Sequence, residues 1–482
     1  MFLLHVAVNA TTVYGFHRDE FLYLAMGRHL RLWTMDFPPF IAIVARTTLE
    51  TIGGSLLAVR LMPALAHALL VLLAARIARR LGGGTFAQVT AGLAVAACPL
   101  FMRAGGLFQP VVFDQLWWTL ALIALLRIAA PRDWLLLGVV LGVGLLTKYS
   151  IAFVGVGITA AVLLTPLRRW LLTPWPWLAF LLAVAIGSPS IVGQLRLDFP
   201  VVGQMGDLQE SQLERIGPIT FLLGNLEFLG PLVLLALAGI AELFRGKRTE
   251  GERAAGWAVI TTFVLLMVLQ GKAYYVGPIY PMLFAAGAVW LDDRARVMRW
   301  AMAVLVIAFG IVTLPFGVPV LPPQQMAGYA AAVGLGTETN KGERIELPQD
   351  YADMLGWEEQ AAETARVYAA LSPAEQDQVA IVGTNYGRAG AHDHLATPLG
   401  LPPAVAPVGS YWYFGAGERP GTIAIVIGGE RDELADFYGS VEPAGRVTGE
   451  LRVPEERDVT IWVAREPRGS LQQLWPMFEG QN

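Results

Sequence analysis

Residues 55–84 read SLLAVRLMPALAHALLVLLAARIARRLGGG, an almost unbroken apolar run over 56–78 closed by Arg76, Arg79 and Arg80. About 20 apolar residues in a helix cross the ~30 Å hydrocarbon core of a bilayer, and short cytoplasmic turns are enriched in Arg and Lys. The stretch therefore reads as a membrane-spanning helix that ends at the cytoplasmic face.

Runs of the same kind recur along the chain, at 1–15, 85–101, 112–130, 134–147, 151–165, 174–191, 217–243, 254–270, 276–291 and 300–317, giving about eleven spans in all. Every even-numbered span ends in a basic turn: after the first come Arg127 and Arg132, then Arg168 and Arg169, then Arg245, Lys247, Arg248 and Arg253, then Arg294, Arg296 and Arg299. The expected topology puts the N-terminus inside, and places the loop 16–55 and everything after residue 317 outside. The first run is short, reaching only ~22 Å as a helix at 1.5 Å per residue, so either the natural start lies upstream or this span tilts. No basic region precedes it and no small-residue cleavage pattern follows, which argues against a signal peptide. The runs at 134–165 are split by TKYS, so Lys148 is expected at the tip of two short helices.

Composition agrees. Of 482 residues 55% are hydrophobic and 15% charged, with mean hydropathy +0.51, whereas a soluble domain carries about 25% charged residues. No basic cluster is interleaved with aromatics, so nucleic acid is not expected as a partner. The single cysteine, Cys98, lies in an apolar run and reads as a buried hydrophobe.

After the proline-rich GVPVLPPQQ, residues 318–482 change character and read as an extracytoplasmic α/β unit. A helix is expected at 356–370, strands at 378–383, 422–428 and 459–464, and a helix over ERDELADFYG (430–439). The segment GTNYGRAGAHDH lacks the G-x-G-x-x-G order of a dinucleotide site. His392 and His394 read as a solvated turn before they read as metal ligands, and SYWYF (410–414) is expected to rest on the membrane module.

The first outer loop, GFHRDEFLYLAMGRHLRLWTMDFPPF over 15–40, concentrates ionisable residues at the edge of the apolar region. Glu20, Tyr23, Gly27 and Arg31 fall on one helical stripe, with Leu22, Met26, Leu30 and Trp33 largely on another, the pattern of a helix lying in the membrane interface. One acid of the pair Asp19–Glu20 is explained by capping of that helix; two beside His17 and Arg18 are not. Pro38–Pro39 then breaks the chain before a second amphipathic piece at 40–52, which Asp36 is placed to cap.

Further polar residues fall on the same outer side: Arg103, Gln109 and Asp114 near the fourth span, Lys148 at its junction, and Lys272, Tyr274 and Tyr275 before the tenth. Ionisable groups at membrane depth are costly and mark a site or a pair. Several cations suit a phosphate leaving group, and a carboxylate beside it can take a proton from a hydroxyl. Together they describe transfer of a group from a lipid phosphate to an alcohol. A transporter or flippase holding a phosphate-bearing lipid is the alternative. It should show related halves and broken helices, neither of which is read here.

The motifs HRDEFLYLAMGRHL, DFPPF, FDQLWW, GLLTKYS and GKAYYVGPIYP, in that order, resemble those of bacterial members of glycosyltransferase family 39, GT-C enzymes related to protein O-mannosyltransferases and to the aminoarabinose transferases of lipid A. The tail segments ADMLGWEE, GTNYGRAGA and GSYWYFG resemble the tails of many members. This resemblance implies a polytopic GT-C fold and inverting transfer of one sugar from a polyprenyl phosphate, undecaprenyl phosphate in the first instance, at the outer face of the bacterial inner membrane. It implies Asp19 as the base with Glu20 assisting. Arg103, Asp114, Lys148, Lys272, Tyr274 and Tyr275 are then donor-site candidates, with His17, Arg18, Tyr23, Arg28 and Asp36 as further candidates. The acceptor is left open among glycan, lipid and protein. A metal requirement is left open: the resemblance does not generally imply one, and an acid pair near a phosphate is able to bind a divalent ion.

Overall fold

The computed structural model describes residues 1–246, 248–334 and 337–480; Lys247, counted above in a basic turn, lies outside the described residues. Sixteen helices cover the apolar part: α1 (Phe2–Thr11), α2 (Arg18–Arg28), α3 (Phe40–Thr51), α4 (Leu56–Arg80), α5 (Thr85–Ala97), α6 (Pro99–Gly106), α7 (Pro110–Leu126), α8 (Pro131–Thr147), α9 (Ile151–Leu164), α10 (Trp175–Arg196), α11 (Pro200–Leu208), α12 (Pro218–Leu229), α13 (Leu232–Phe244), α14 (Glu250–Val268), α15 (Tyr280–Asp292) and α16 (Arg296–Gly317). Each predicted span contains a helix or a bent pair. By length and apolarity five can cross a membrane, α4, α10, α14, Ala273–Asp292 and α16, or up to eight if each bent pair is one span.

Two expected spans, 85–101 and 217–243, are broken, which corrects their reading as unbroken helices, and a further bend follows the span at 151–165. The α5–α6 pair bends by 62°, α9 and Pro166–Leu172 by 99°, and α12–α13 by 107°. Proline follows each break, as Pro99, Pro166 and Pro231, where its ring and missing N–H end a helical ladder. At the third, Gly230 adopts φ 47, a conformation that glycine takes at little cost.

Beyond α16 five strands form one sheet in the order β2–β1–β3–β5–β4, with β1 (Val379–Gly383), β2 (Ala404–Val405), β3 (Ile423–Ile427), β4 (Tyr438–Thr448) and β5 (Asp458–Pro467). β1 is parallel to β2 and β3, while β5 is antiparallel to β3 and β4. The expected strands match β1, β3 and β5, and the expected helix is Trp357–Ala369. The expected helix at 430–439 is corrected: only Arg431–Ala435 is helical, and Tyr438 begins β4. β4 is an edge strand with a bulge at Pro443/Gly445, so it shows no clean alternation to read.

The segment 16–39 joins the two parts. Phe21 and Leu24 of α2 pack into the core of the helical bundle, while Leu22, Ala25 and Met26 pack with Ile381, Ile425, Ile461 and Val463 of the sheet. α2 is thus buried on both sides rather than lying in the lipid interface, and it ends at Arg28, before Leu30 and Trp33. Its tail-side partner is the helix Tyr386–Leu395. A Cβ on Gly390 would stand 2.7 Å from the Phe21 Cβ. Gly390→Ala should therefore separate these helices at a cost of about 1–3 kcal/mol. The expected result is a lower Tm for the purified protein in detergent, with Gly155→Ala, which adds a methyl to open space, as the unaffected control. Equal Tm values would refute this close packing.

Candidate active site at the start of the first outer helix

His17 is the N-cap of α2, its Nδ1 accepting from the Asp19 N–H at 3.1 Å, and Glu20 completes the capping box by accepting from the His17 N–H at 2.8 Å. Glu20 does more than cap. Its carboxylate accepts from Arg60 Nε at 2.9 Å, Arg60 Nη2 at 2.7 Å and the Phe108 N–H at 2.8 Å. Burial alone would raise this carboxyl, but Arg60 and the backbone donors outweigh burial and hold it below the usual range. Glu20 is fully buried and its oxygens are committed. Its geometry is that of an anchor for the loop rather than of a group that meets substrate.

Asp19, the next residue back, is different. Its side chain is 30% exposed. Oδ1 accepts from the Tyr386 hydroxyl at 2.8 Å and Oδ2 from Gln109 Nε2 at 3.1 Å, which leaves lone-pair positions facing outward. Tyr386 lies in the GTNYGRAGA segment and Gln109 is the N-cap residue of α7, so two distant parts of the chain hold the carboxylate. The sequence supplied Asp19; it did not supply Tyr386 as its partner.

Around this pair lies a charged shell that the sequence reading missed in part. His17 Nε2 is 3.7 Å from Asp353 and 3.9 Å from Asp350. Arg18 donates to Glu455 at 2.8 Å and lies 3.5 Å from Asp353, with its guanidinium over the Tyr386 ring. Arg103 pairs with Asp350 and stacks over Tyr351, and its Nη2 is buried without a hydrogen-bond partner. Asp353 titrates above the usual range because burial, Asp19 and Asp350 outweigh Arg18 and His17. Asp353 belongs to ADMLGWEE, a segment singled out in the sequence without a role for its acid.

The second group of candidates gathers beside the first. Asp114, on α7, accepts from Trp118 Nε1 at 3.0 Å and from Ser150 Oγ at 2.7 Å. Lys148 faces the Tyr275 ring at 5.3 Å and, among the described residues, its ammonium has no hydrogen-bond or ion-pair partner. Tyr274 packs edge-on against Tyr275 and lies within electrostatic reach of Asp350 and Asp19. Lys272 donates to Gln212 and to Asn340. Burial, with Arg215 and Lys148 nearby, brings Lys272 down to about 8 against the opposing pull of Asp350. The two lysines, Arg103, Tyr274 and Asp19 thus share one charged region.

Other sequence candidates fall elsewhere. Arg28 contacts His394 Nδ1 at 2.9 Å at the far end of α2. Tyr23 sits on α2 between the two cores, within reach of the Asp19 charge. Asp36 does not cap α3, whose N-cap is Pro39 without a side-chain bond. It is buried and accepts from Ser410 at 2.6 Å, and burial raises it to about 6. The histidines His392 and His394 are not in a solvated turn. They lie in the helix Tyr386–Leu395, meet the Pro402 and Gly54 carbonyls at 3.0 and 2.9 Å, and burial lowers each to about 4. SYWYF packs inward, with Tyr411 bonded to Asp393 and Phe414 stacked on His29. Among the described residues no group of three or more His, Cys, Asp or Glu is placed to hold a metal.

Comparison with known proteins agrees with the resemblance read from the motifs: the proteins this chain is similar to are membrane glycosyltransferases. Residues 36–192 match the family Dolichyl-phosphate-mannose-protein mannosyltransferase. The chain is 25% identical over 327 residues to the lipid A galacturonosyltransferase RgtD of Rhizobium johnstonii, covering 64% of this chain and 67% of that protein. Its fold is that of ArnT from Cupriavidus metallidurans: TM-score 0.63 to the crystal structure bound to undecaprenyl phosphate, with 16% identity and 96% of both chains covered, and 0.62 to the apo structure, with 17% identity and 95% and 96% covered.

Proposed function

We propose that this chain is an inverting glycosyltransferase that moves one sugar from a polyprenyl phosphate to an acceptor hydroxyl at the outer face of the bacterial inner membrane. The observation that carries this is Asp19, a partly exposed carboxylate held on both oxygens beside the partly buried cations Arg103, Lys148 and Lys272. Asp19 takes the acceptor proton, the acceptor oxygen bonds to the anomeric carbon, and the bond from that carbon to the phosphate oxygen breaks. Its electron pair leaves on the polyprenyl phosphate, which Lys148, Lys272 and Arg103 receive. Asp114 and the Tyr274–Tyr275 pair line the donor side. The reading includes eleven spans, a membrane module at 1–317 and an extracytoplasmic unit at 318–482. RgtD acts on lipid A by its name, so a lipid acceptor is the first to test.

A second reading, transport of a phosphate-bearing lipid, has the three bent helix pairs in its favour. One experiment separates the two: a radiolabelled sugar on polyprenyl phosphate is supplied to vesicles containing the protein and bacterial membrane acceptors. Label passing to an acceptor supports transfer, and label changing leaflet on the intact donor supports transport.

The lysine near pH 8 adds a prediction. The Lys272 ammonium loses its proton as pH rises through about 8, so the donor KM should climb above that pH. Arg stays charged throughout this range, and Lys272→Arg should flatten the climb. A donor KM in the parent enzyme that does not change between pH 7 and 9 would remove Lys272 from the phosphate site.

A further inference from the structure

We propose that Tyr386, supplied by the tail, is a positioning residue for the base, so that Asp19 is set for reaction only when the tail is docked on α2. This inference rests on the reading of Asp19 as the base. Tyr386 is the first residue of the helix Tyr386–Leu395, and that helix start is rigidly mounted. Asn385 caps it by accepting from the Arg388 N–H at 2.9 Å and donates to Glu456 at 3.0 Å. Arg388 in turn pairs with Glu456, itself buried. Gly387 and Gly390 let the helix approach α2 closely, against Arg18 and Phe21. The Tyr386 ring lies under the Arg18 guanidinium at 5.8 Å, and its hydroxyl donates to Asp19 Oδ1 at 2.8 Å.

Burial and the Asp19 charge hold the phenol protonated, so it acts as a donor and never as the base. A donor on Oδ1, with Gln109 on Oδ2, stops the carboxylate from rotating and directs its remaining lone pairs at the acceptor. A carboxylate that needed only solvation would not require a partner 367 positions away in the chain.

Tyr386→Phe deletes the hydroxyl and keeps the ring beneath Arg18. A hydrogen bond to a charged group corresponds to about a 10- to 100-fold effect. The expected result is a kcat lower by about that factor with a donor KM unchanged. A fall in Tm with unchanged kcat per folded molecule would make Tyr386 a docking contact only and overturn the proposal. Asp19→Asn is measured beside it: an inactive Asp19→Asn with a fully active Tyr386→Phe overturns the role of Tyr386 alone, whereas an active Asp19→Asn overturns the base assignment itself. Should Tyr386→Phe not accumulate, 3-fluorotyrosine at 386 keeps the hydroxyl and strengthens its donation. It should change kcat while leaving the donor KM as it was, and an unchanged kcat would overturn the proposal.

Discussion

Asp19→Asn is expected to cut sugar transfer by about 10²- to 10⁴-fold, the range supplied by a positioned general base, while the protein accumulates at its normal level. Asn has nearly the shape of Asp and keeps an acceptor oxygen for the Tyr386 hydroxyl, so the loop keeps its place. Its amide has no basic lone pair for the acceptor proton. Glu20, although adjacent, cannot take over: it is fully buried and its carboxylate already accepts from Arg60, Phe108 and His17. Raising the pH should not restore the rate, because no nearby group gains basicity on the right oxygen. Label transferred from a polyprenyl-phosphate sugar per mole of folded protein measures this. A rate within about threefold of the parent enzyme would contradict the range expected of a base.

Arg60→Ala is expected to have the largest effect on stability. Arg60 and Glu20 are both fully buried. The guanidinium also donates to Asn9 of α1 at 3.3 Å and to the Gly15 carbonyl at 3.0 Å. It therefore ties α1, α2 and α4 to one point. Its removal leaves the Glu20 charge buried and unpaired, at about 3–5 kcal/mol against a total stability of about 5–15 kcal/mol. Since Glu20 is held below the usual carboxylate range, its contribution in the parent protein is complete above the unfolded value of about 4.3. It is lost only as pH falls through the lower folded value. Arg60→Ala removes the cause of that lowering, so the variant should be least stable near neutral pH and recover as Glu20 protonates. Glu20→Gln combined with Arg60→Met leaves no buried charge and should regain part of the loss. Monodisperse yield in detergent and Tm against pH read all of this. A neutral-pH Tm for Arg60→Ala equal to that of the parent would refute the anchor.

The helical architecture was legible because spans announce themselves by apolar length and by the arginines that close them, as at Arg76, Arg79 and Arg80. The breaks were also in view, since Pro99, Pro166 and Pro231 each follow one, but apolarity continues across them and hides the bend. The acid pair was legible as special and only half resolved. Capping accounts for one carboxylate, and the structure assigns that one to Glu20, whose further partner Arg60 stands inside an apolar span where no local pattern points to it. The α2 stripe misled because both of its faces are buried against protein, and periodicity does not distinguish a lipid from a sheet. Tyr386 and Asp353 lie in quoted tail motifs, yet their meeting with Asp19 and His17 is a long-range contact without a local signature. β4 was lost because an edge strand with a bulge does not alternate.

The most direct test of the central claim is a cryo-EM map of the protein with undecaprenyl phosphate added. The account predicts the phosphate between Asp19 and the lysines Lys148 and Lys272, with Arg103 released from Asp350 to meet it. A phosphate bound away from Asp19, or at the opposite end of the helical bundle, would contradict it.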